Sequence, residues 1–472
     1  MRNKLQKFTD FANSLLPHET EYLLSVQQFQ DKKKLEILEQ IDFNCKNIHD
    51  FKPFDEEVDK RKYSNLKTWI EERLAEIDVD AQYDWIAQTN QRIMTDAISP
   101  EEEKILLKNI KEYPLSTSFY FVKFYELVQD YRQFLLIRMR YAEHRQADGF
   151  LQANREKYEN CRAVAEKMHA ATLDIVHQYT QNDAEPPHDW ETWLTDCYYN
   201  ENLDGLNRYL ALVRLTFLYN NYRKFEKLLV NYDFIDALFR KGIYYSKRLL
   251  VNYYGNRLLL HTRFNEFDKA EYYGYLSTRV KNSDYLHYVN NLCSILLRGK
   301  KNEAALKLMR QAHPEMKRTQ SFHNRVGFMA FYTKSLNVNN LWRNGESYVE
   351  SFLRVYKTEV FEHRWHLFFT AYLESLLGQK KYVKLLQTVK RYKLLEKERH
   401  YRKNSAYLPT VLLYNALAEF KEEKLTFREF VKILQQEKAA FIDKKDRQQQ
   451  FMDIMKTISE NLTEAERSRL TV

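Results

Sequence analysis

The amino-acid sequence predicts an all-α fold, on three observations. Turn-forming residues are scarce: nine Gly and eight Pro in 472 residues. β-rich folds need more turns, and nucleotide-binding α/β folds need glycine loops; no G-x-G occurs. Apolar residues recur at spacings of three and four, the period of one helix face. From about residue 203, a polar turn followed by an aromatic or small residue returns every 34–45 residues, the interval of helical-hairpin repeats.

Taken in order, residues 2–16 read as a short helix stopped by Pro17. A longer one is expected from Glu19 to Ile41, with Tyr22, Leu23, Val26 and Phe29 on its apolar face. After a loop at Phe51–Pro53, Leu66, Trp69, Ile70, Leu74 and Ile77 mark another helix, and Tyr83, Trp85, Ile86 and Ile93 the next, to Ile98. Ser99-Pro100-Glu101-Glu102 is a capping signal: Ser accepts from orphan amides, Pro suits the first position, and acids complement the dipole. An aromatic helix is expected over 117–145 and a second over 149–180. Gln181–Asp189 contains adjacent prolines that stop a helix, so a domain boundary is placed there. Asp189 is expected to cap the helix of Trp190, Trp193 and Leu194.

The repeats are clearest at Glu362–Leu395. Trp365, Phe369, Tyr372 and Leu376 line one stripe, and Tyr382, Leu385, Leu386, Val389 and Tyr392 line another. Between them Gly378 is expected to end the first helix in the left-handed conformation. Lys381, Lys384 and Arg391 are expected to face water. Equivalent turns stand at Phe225, Phe267, Lys301, Trp342, Tyr382 and Phe427.

Two of these turns, NEFDKA (265–270) and GKKNEA (299–304), resemble the mid-repeat turn of tetratricopeptide repeats. The resemblance implies a right-handed superhelix of about six hairpins over 203–442. Phe267 and Tyr382 would be its turn aromatics, Ala270 and Ala304 its close-packing alanines, and Gly299 and Gly378 its turn glycines. Lys301 departs from the aromatic position, most spacings exceed the family's, and no repeat ends in its usual proline. The resemblance further implies peptide or protein binding on a concave face, without catalysis. The expected organisation is an acidic helical region over 1–182 (a bundle or irregular hairpins), a linker and capping helix over 183–202, hairpins over 203–442, and a capping helix over 443–472.

Charge is divided unevenly. Residues 1–200 hold 26 Lys+Arg and 36 Asp+Glu, while 201–472 hold 48 and 29. Such asymmetry suits an acidic partner for the basic part, or two halves that attract each other. Cys45, Cys161, Cys197 and Cys293 are dispersed with no C-x-x-C, which fits a reducing compartment. No signal-peptide core and no apolar run of membrane-spanning length is seen, so a cytoplasmic chain without membrane contact is expected.

Candidate chemistry is sparse. His363 and His366, with Glu359 and Glu362 nearby, have metal-ligand spacing on one expected helix; without ligands from elsewhere they read as half-buried histidines, and no metal or cofactor is assigned. Cys45 and His49 lie one turn apart, but no orienting group or oxyanion loop accompanies them. The run KRYKLLEKERHYRK (390–403) interleaves tyrosines with cations, a composition that grips phosphates and stacks bases; its plainer reading is a solvated helix end. Lys390, Arg391, Arg399, Arg402 and Lys403 are its candidate binding residues. The expected function is a non-catalytic protein- or peptide-binding scaffold. The alternative is a nucleic-acid-binding regulatory or defence component using the basic C-terminal half.

Overall fold

A computed structural model describes residues 5–48, 50–114, 118–181, 188–402, 407–441 and 445–470. Every regular element among them is helical, and no strand is present among the described residues. The chain divides into two compact units, Met1–Val280 and Lys281–Val472.

The first unit begins with α1 (Gln6–Asn13), α2 (Pro17–Val26), α3 (Lys32–Lys46), α4 (Lys60–Ile77), α5 (Val79–Met94) and α6 (Pro100–Glu112). It continues with α7 (Phe121–Ile137), α8 (Tyr141–Ala153), α9 (Arg155–Gln181), α10 (His188–Tyr199), α11 (Gly205–Asn221), α12 (Phe225–Arg240), α13 (Lys247–Arg263) and α14 (Phe267–Ser277). The Ser99 capping box forms as expected: Glu102 N donates to Ser99 Oγ at 3.3 Å, and Ser99 N to Glu102 Oε2 at 2.9 Å.

Several expected helices are shorter. The one expected over 19–41 is interrupted, because Asp31 leaves the helix to accept from Lys33 N and cap α3. Pro17 opens α2 as its first residue rather than merely stopping α1. The helix expected over 117–145 ends where Met139 takes φ 57°, so α8 starts at Tyr141 rather than 149. The Asp189 side chain and the prolines of 181–189 fall outside the described residues. The division between units lies at 280/281 rather than at that stretch, because α9 and α10 both pack on α11.

The N-terminal helices pack onto the first repeats of the same unit through charge. His18 Nε2 meets Asp236 Oδ1 at 2.9 Å, and His18 Nδ1 meets the Tyr254 hydroxyl at 2.6 Å. Asp236 also accepts from Tyr253 and Arg240 at 2.6 Å each. Arg240 reaches Glu21, and Arg248 pairs with Asp80 at 2.7 Å. Glu19 is fully buried, accepting from Leu16 N at 2.7 Å and the Tyr245 hydroxyl at 2.5 Å. Part of the charge asymmetry is thus spent inside this unit, acid against base.

The second unit holds α15 (Tyr285–Arg298), α16 (Asn302–Met316), α17 (Phe322–Val338), α18 (Trp342–Val355), α19 (Lys357–Glu362), α20 (Trp365–Gly378), α21 (Tyr382–Arg391), α22 (Leu394–Tyr401), α23 (Thr410–Lys421) and α24 (Phe427–Phe441). It closes with α25 (Lys445–Glu460) and α26 (Glu464–Leu470). The single C-terminal helix expected over 443–472 is two among the described residues, because Thr463 caps α26 through Glu466 N at 3.3 Å.

Six hairpins share one turn: α11/α12 and α13/α14 in the first unit, then α15/α16, α17/α18, α20/α21 and α23/α24 in the second. Each turn places one residue at positive φ: Arg223, Asn265, Lys300, Asn340, Lys380 and Glu423, all between 56° and 60°. The following amide donates five residues back, as Lys301 N does to Leu296 O and Lys381 N to Leu376 O, both 2.9 Å.

The left-handed residue is therefore never the expected glycine. Gly299 has φ −75°, and Gly378 is the last residue of α20. Gly378 is required for a different reason: a Cβ there would enter the indole of Trp342. That ring, on the first residue of α18, is held by its Nε1 donating to Asn337 O at 2.5 Å.

The fourth residue of each second helix is buried in all six hairpins: Leu228, Ala270, Ala305, Gly345, Leu385 and Phe430. Ala305, rather than the half-buried Ala304, therefore corresponds to Ala270. At the first position Asn302 corresponds to Phe225, Phe267, Trp342, Tyr382 and Phe427. Phe267 itself is 36% exposed. Lys381 and Lys384, expected to face water alone, turn back onto Glu346 at 2.6 Å each. Glu346 is 6% exposed; burial would raise its pKa, but the two lysines and Gln379 hold it down to about 2.

Candidate functional site

Within the second unit, α19 and α22 are additions to the hairpin pattern, and between them lies a cleft of about 510 Å³. Phe361, Trp365, Lys393, Glu396, Lys397, His400 and Tyr401 line it. The local sequence explains its construction. Lys393 takes φ 51° after α21 and redirects the chain into α22. Leu394 and Glu398, one turn apart, are buried, which leaves Lys393, Glu396, Lys397 and His400 exposed.

Glu398 accepts from Val411 N at 3.0 Å and Leu412 N at 2.8 Å, satisfying first-turn amides of α23. One of the two acids in the basic run is therefore structural. The aromatic walls are braced: Trp365 meets Tyr401 edge-on at 5.7 Å, and Tyr401 stacks on His366 at 4.9 Å. Lys397 Nζ lies 4.7 Å from the Phe361 ring centroid, a cation–π distance.

Lys390 and Arg391 are exposed at the end of α21, and Arg399 is exposed on α22. Arg391 and Lys357 flank the Tyr392 ring at 5.5 and 5.8 Å. Among the described residues none of Lys357, Lys390, Arg391, Lys393, Lys397 and Arg399 has a carboxylate within ion-pair distance. Arg402, by contrast, pairs with Glu437 at 2.6 Å and lies over Tyr407. Lys403 lies outside the described residues. The structure thus joins Lys393 and Lys397 to an aromatic cleft that sequence reasoning did not assemble, while Lys390, Arg391 and Arg399 are exposed on α21 and α22 without lining it.

The other candidates separate. His363 lies in the break between α19 and α20 with ψ −97°, so it and His366 do not share a helix as expected. His366 Nε2 meets Glu398 Oε1 at 3.0 Å, whereas His363 stacks on Phe322. Cys45 is 3% exposed, donates to Leu15 O at 3.0 Å and receives Arg279 Nη1 at 3.0 Å. Burial outweighs the arginine and pushes the thiol up to about 12, so it is no thiolate nucleophile at neutral pH. His49 lies outside the described residues. Arg257, which interrupts an apolar stripe, is 8% exposed, paired with Asp233 at 2.8 Å and placed between the rings of Tyr253 and Tyr273. No helix among the described residues is long and apolar enough to cross a membrane.

No family model, curated protein or solved structure compared with the chain matches it.

Proposed function

We propose that the chain is a non-catalytic scaffold that recognises an anionic segment of a partner protein on the basic, aromatic face of residues 357–402. The six hairpins support reading it as a degenerate tetratricopeptide-like array of right-handed hand, with its recognition surface at inserted helices. Four dispersed, buried, free thiols support a reducing, cytoplasmic setting.

The observation that carries the reading is a cleft walled by Phe361, Trp365 and Tyr401 and lined also by Lys393 and Lys397, neither of which has an acid within ion-pair distance among the described residues. Half-exposed ion pairs such as Lys381–Glu346 and Lys421–Glu466 tie helices together elsewhere in the unit, so cations left without acids here are available to a partner. Aromatic rings supply contact area at low entropic cost. The same coincidence favours one second reading, a single-stranded nucleic acid whose bases stack on the rings.

Affinity capture from source-cell lysate at two salt concentrations, with and without nuclease, separates them. A partner protein retained after nuclease and lost in the Trp365→Ala/Lys397→Glu variant supports the scaffold. A steep salt dependence with loss on nuclease treatment replaces it with the nucleic-acid reading.

A further inference from the structure

Glu396, Lys397 and His400, three or four residues apart on α22, line the cleft of the second unit together with Lys393 before them. This lining is not uniformly basic. Glu396 is exposed beside the two lysines and has no cation within ion-pair distance among the described residues. His400 Nδ1 meets Glu396 O at 2.8 Å. A carbonyl only accepts, so Nδ1 carries the proton, and Nε2 of the neutral ring is an acceptor. The polar lining therefore offers two ammonium donors and, beside them, a carboxylate and an imidazole acceptor. An occupant made of anions alone would satisfy the lysines and be repelled by Glu396.

The aromatic wall is held from behind. Phe361 packs on Phe369 at 5.4 Å and on Tyr392 at 6.0 Å. Tyr401 stacks on His366 with the planes 24° apart, and Trp365 meets that imidazole edge-on at 5.3 Å. All three rings are nevertheless half-buried and line the cleft. Rings fixed by the fold lose little freedom when a flat group docks against them. The cleft's volume of about 510 Å³ falls within the roughly 300–1,000 Å³ of pockets that enclose a ligand, so it has room for a ring and is more than a charged rim. Outside it, Lys390, Arg391 and Arg399 are exposed on the neighbouring helix surfaces.

We propose that the segment held here is an acidic stretch carrying one tryptophan or tyrosine, whose ring enters the cleft and whose N–H or O–H donates to Glu396, while flanking Asp or Glu side chains reach Lys393, Lys397 and the exposed cations outside. Indole and phenol each join a large apolar body to one polar hydrogen. A ring without that hydrogen would cover Glu396 and leave it unpaired, which costs affinity. Phosphorylation of the tyrosine replaces the hydrogen with a dianion and sets it against Glu396, so the site should discriminate against the phosphorylated form. The proposal rests on the cleft reading and names the partner segment by its anchor.

The test measures fluorescence anisotropy of labelled acidic peptides that differ only at the centre, carrying Trp, Tyr, phosphotyrosine, Phe or Ala, with labelled oligothymidylate alongside, all against the intact chain. The Trp and Tyr peptides are expected to bind with a Kd on the order of 10 μM. The Ala peptide should bind about tenfold or more weakly, and the Phe peptide between the two. Phosphotyrosine should be at least about tenfold weaker than Tyr, through like-charge repulsion. Glu396→Gln keeps an acceptor without the charge, so it should close most of the gap between Tyr and phosphotyrosine. Trp365→Ala and Lys397→Glu should each weaken the Trp peptide; Lys397 is exposed, so its variant decides even where Trp365→Ala fails to fold. Arg318→Ala, at a 77% exposed side chain elsewhere, should change nothing. Equal binding of all the peptides, a Phe peptide as tight as Tyr, or phosphotyrosine tighter than Tyr overturns the proposed anchor and leaves the cleft reading standing. Trp-peptide binding indifferent to Lys397→Glu and Trp365→Ala, no binding of any acidic peptide, or oligothymidylate tighter than every peptide overturns the cleft reading and the proposal with it.

Discussion

Gly378→Ala reports directly on how adjacent hairpins of the second unit meet. The new Cβ falls within the Trp342 indole, so either the ring turns out or α18 and α20 separate. Overpacking of this kind costs about 1–3 kcal/mol. Displacing the ring also weakens the Trp342–Asn337 hydrogen bond of 2.5 Å, worth about 1 kcal/mol. Against this, Ala is favoured over Gly inside a helix by about 1 kcal/mol. The net expectation is destabilisation of about 1–3 kcal/mol. In a Trp342→Ala background the obstruction is gone, and the same change should stabilise by up to about 1 kcal/mol. Amide hydrogen exchange in α18 and α20 measures the local opening free energy without assuming two-state unfolding of a 472-residue chain. If Gly378→Ala is equally destabilising in both backgrounds, the close approach is not what demands glycine, and a left-handed requirement at Gly378 would have to be restored.

Three further expectations follow from the same geometry. Burial alone would raise the pKa of Asp236, but His18, Tyr253 and Arg240 outweigh it and hold the carboxyl well below its usual value of 3.8. Its stabilising contribution is therefore present above about pH 4 and lost as pH falls through the native value. Asp236→Asn should loosen α2 by about 1–3 kcal/mol at pH 7, since Arg240 is half exposed and contributes little; exchange protection in α2 unchanged by the substitution at pH 7 would refute this. Glu346→Ala should cost about 1–2 kcal/mol by freeing Lys381, Lys384 and Gln379, with loss of exchange protection confined to α18, α21 and the end of α20, whereas a change elsewhere would sink the assignment. Cys45, raised by burial, should react with a thiol reagent at pH 7.5 no faster than unfolding exposes it; prompt labelling of the native chain would contradict its burial.

The sequence by itself determined the helical class and the places where polar residues break one helix from the next. Helical period and turn chemistry are local, and a polar break after an apolar stripe leaves few alternatives. The Ser99 capping box was legible for the same reason, since its partners lie three residues apart. Longer elements were misjudged where a local break outweighed periodicity, as at Asp31 and Met139. Only tertiary structure decided why Gly378 is glycine, because the answer is a ring 36 residues away in sequence. It alone decided that Lys381 and Lys384 are occupied by Glu346 while Lys393 and Lys397 are not, since identical side chains are distinguished by what packs opposite them. It also turned one acid of the basic run, Glu398, into the support of α23, and brought Arg364 beside His287 and His323 from two other helices. Charge counted along a chain gives a total. Which charges remain unpaired depends on distances between residues far apart in sequence, and those exist only once the helices have packed.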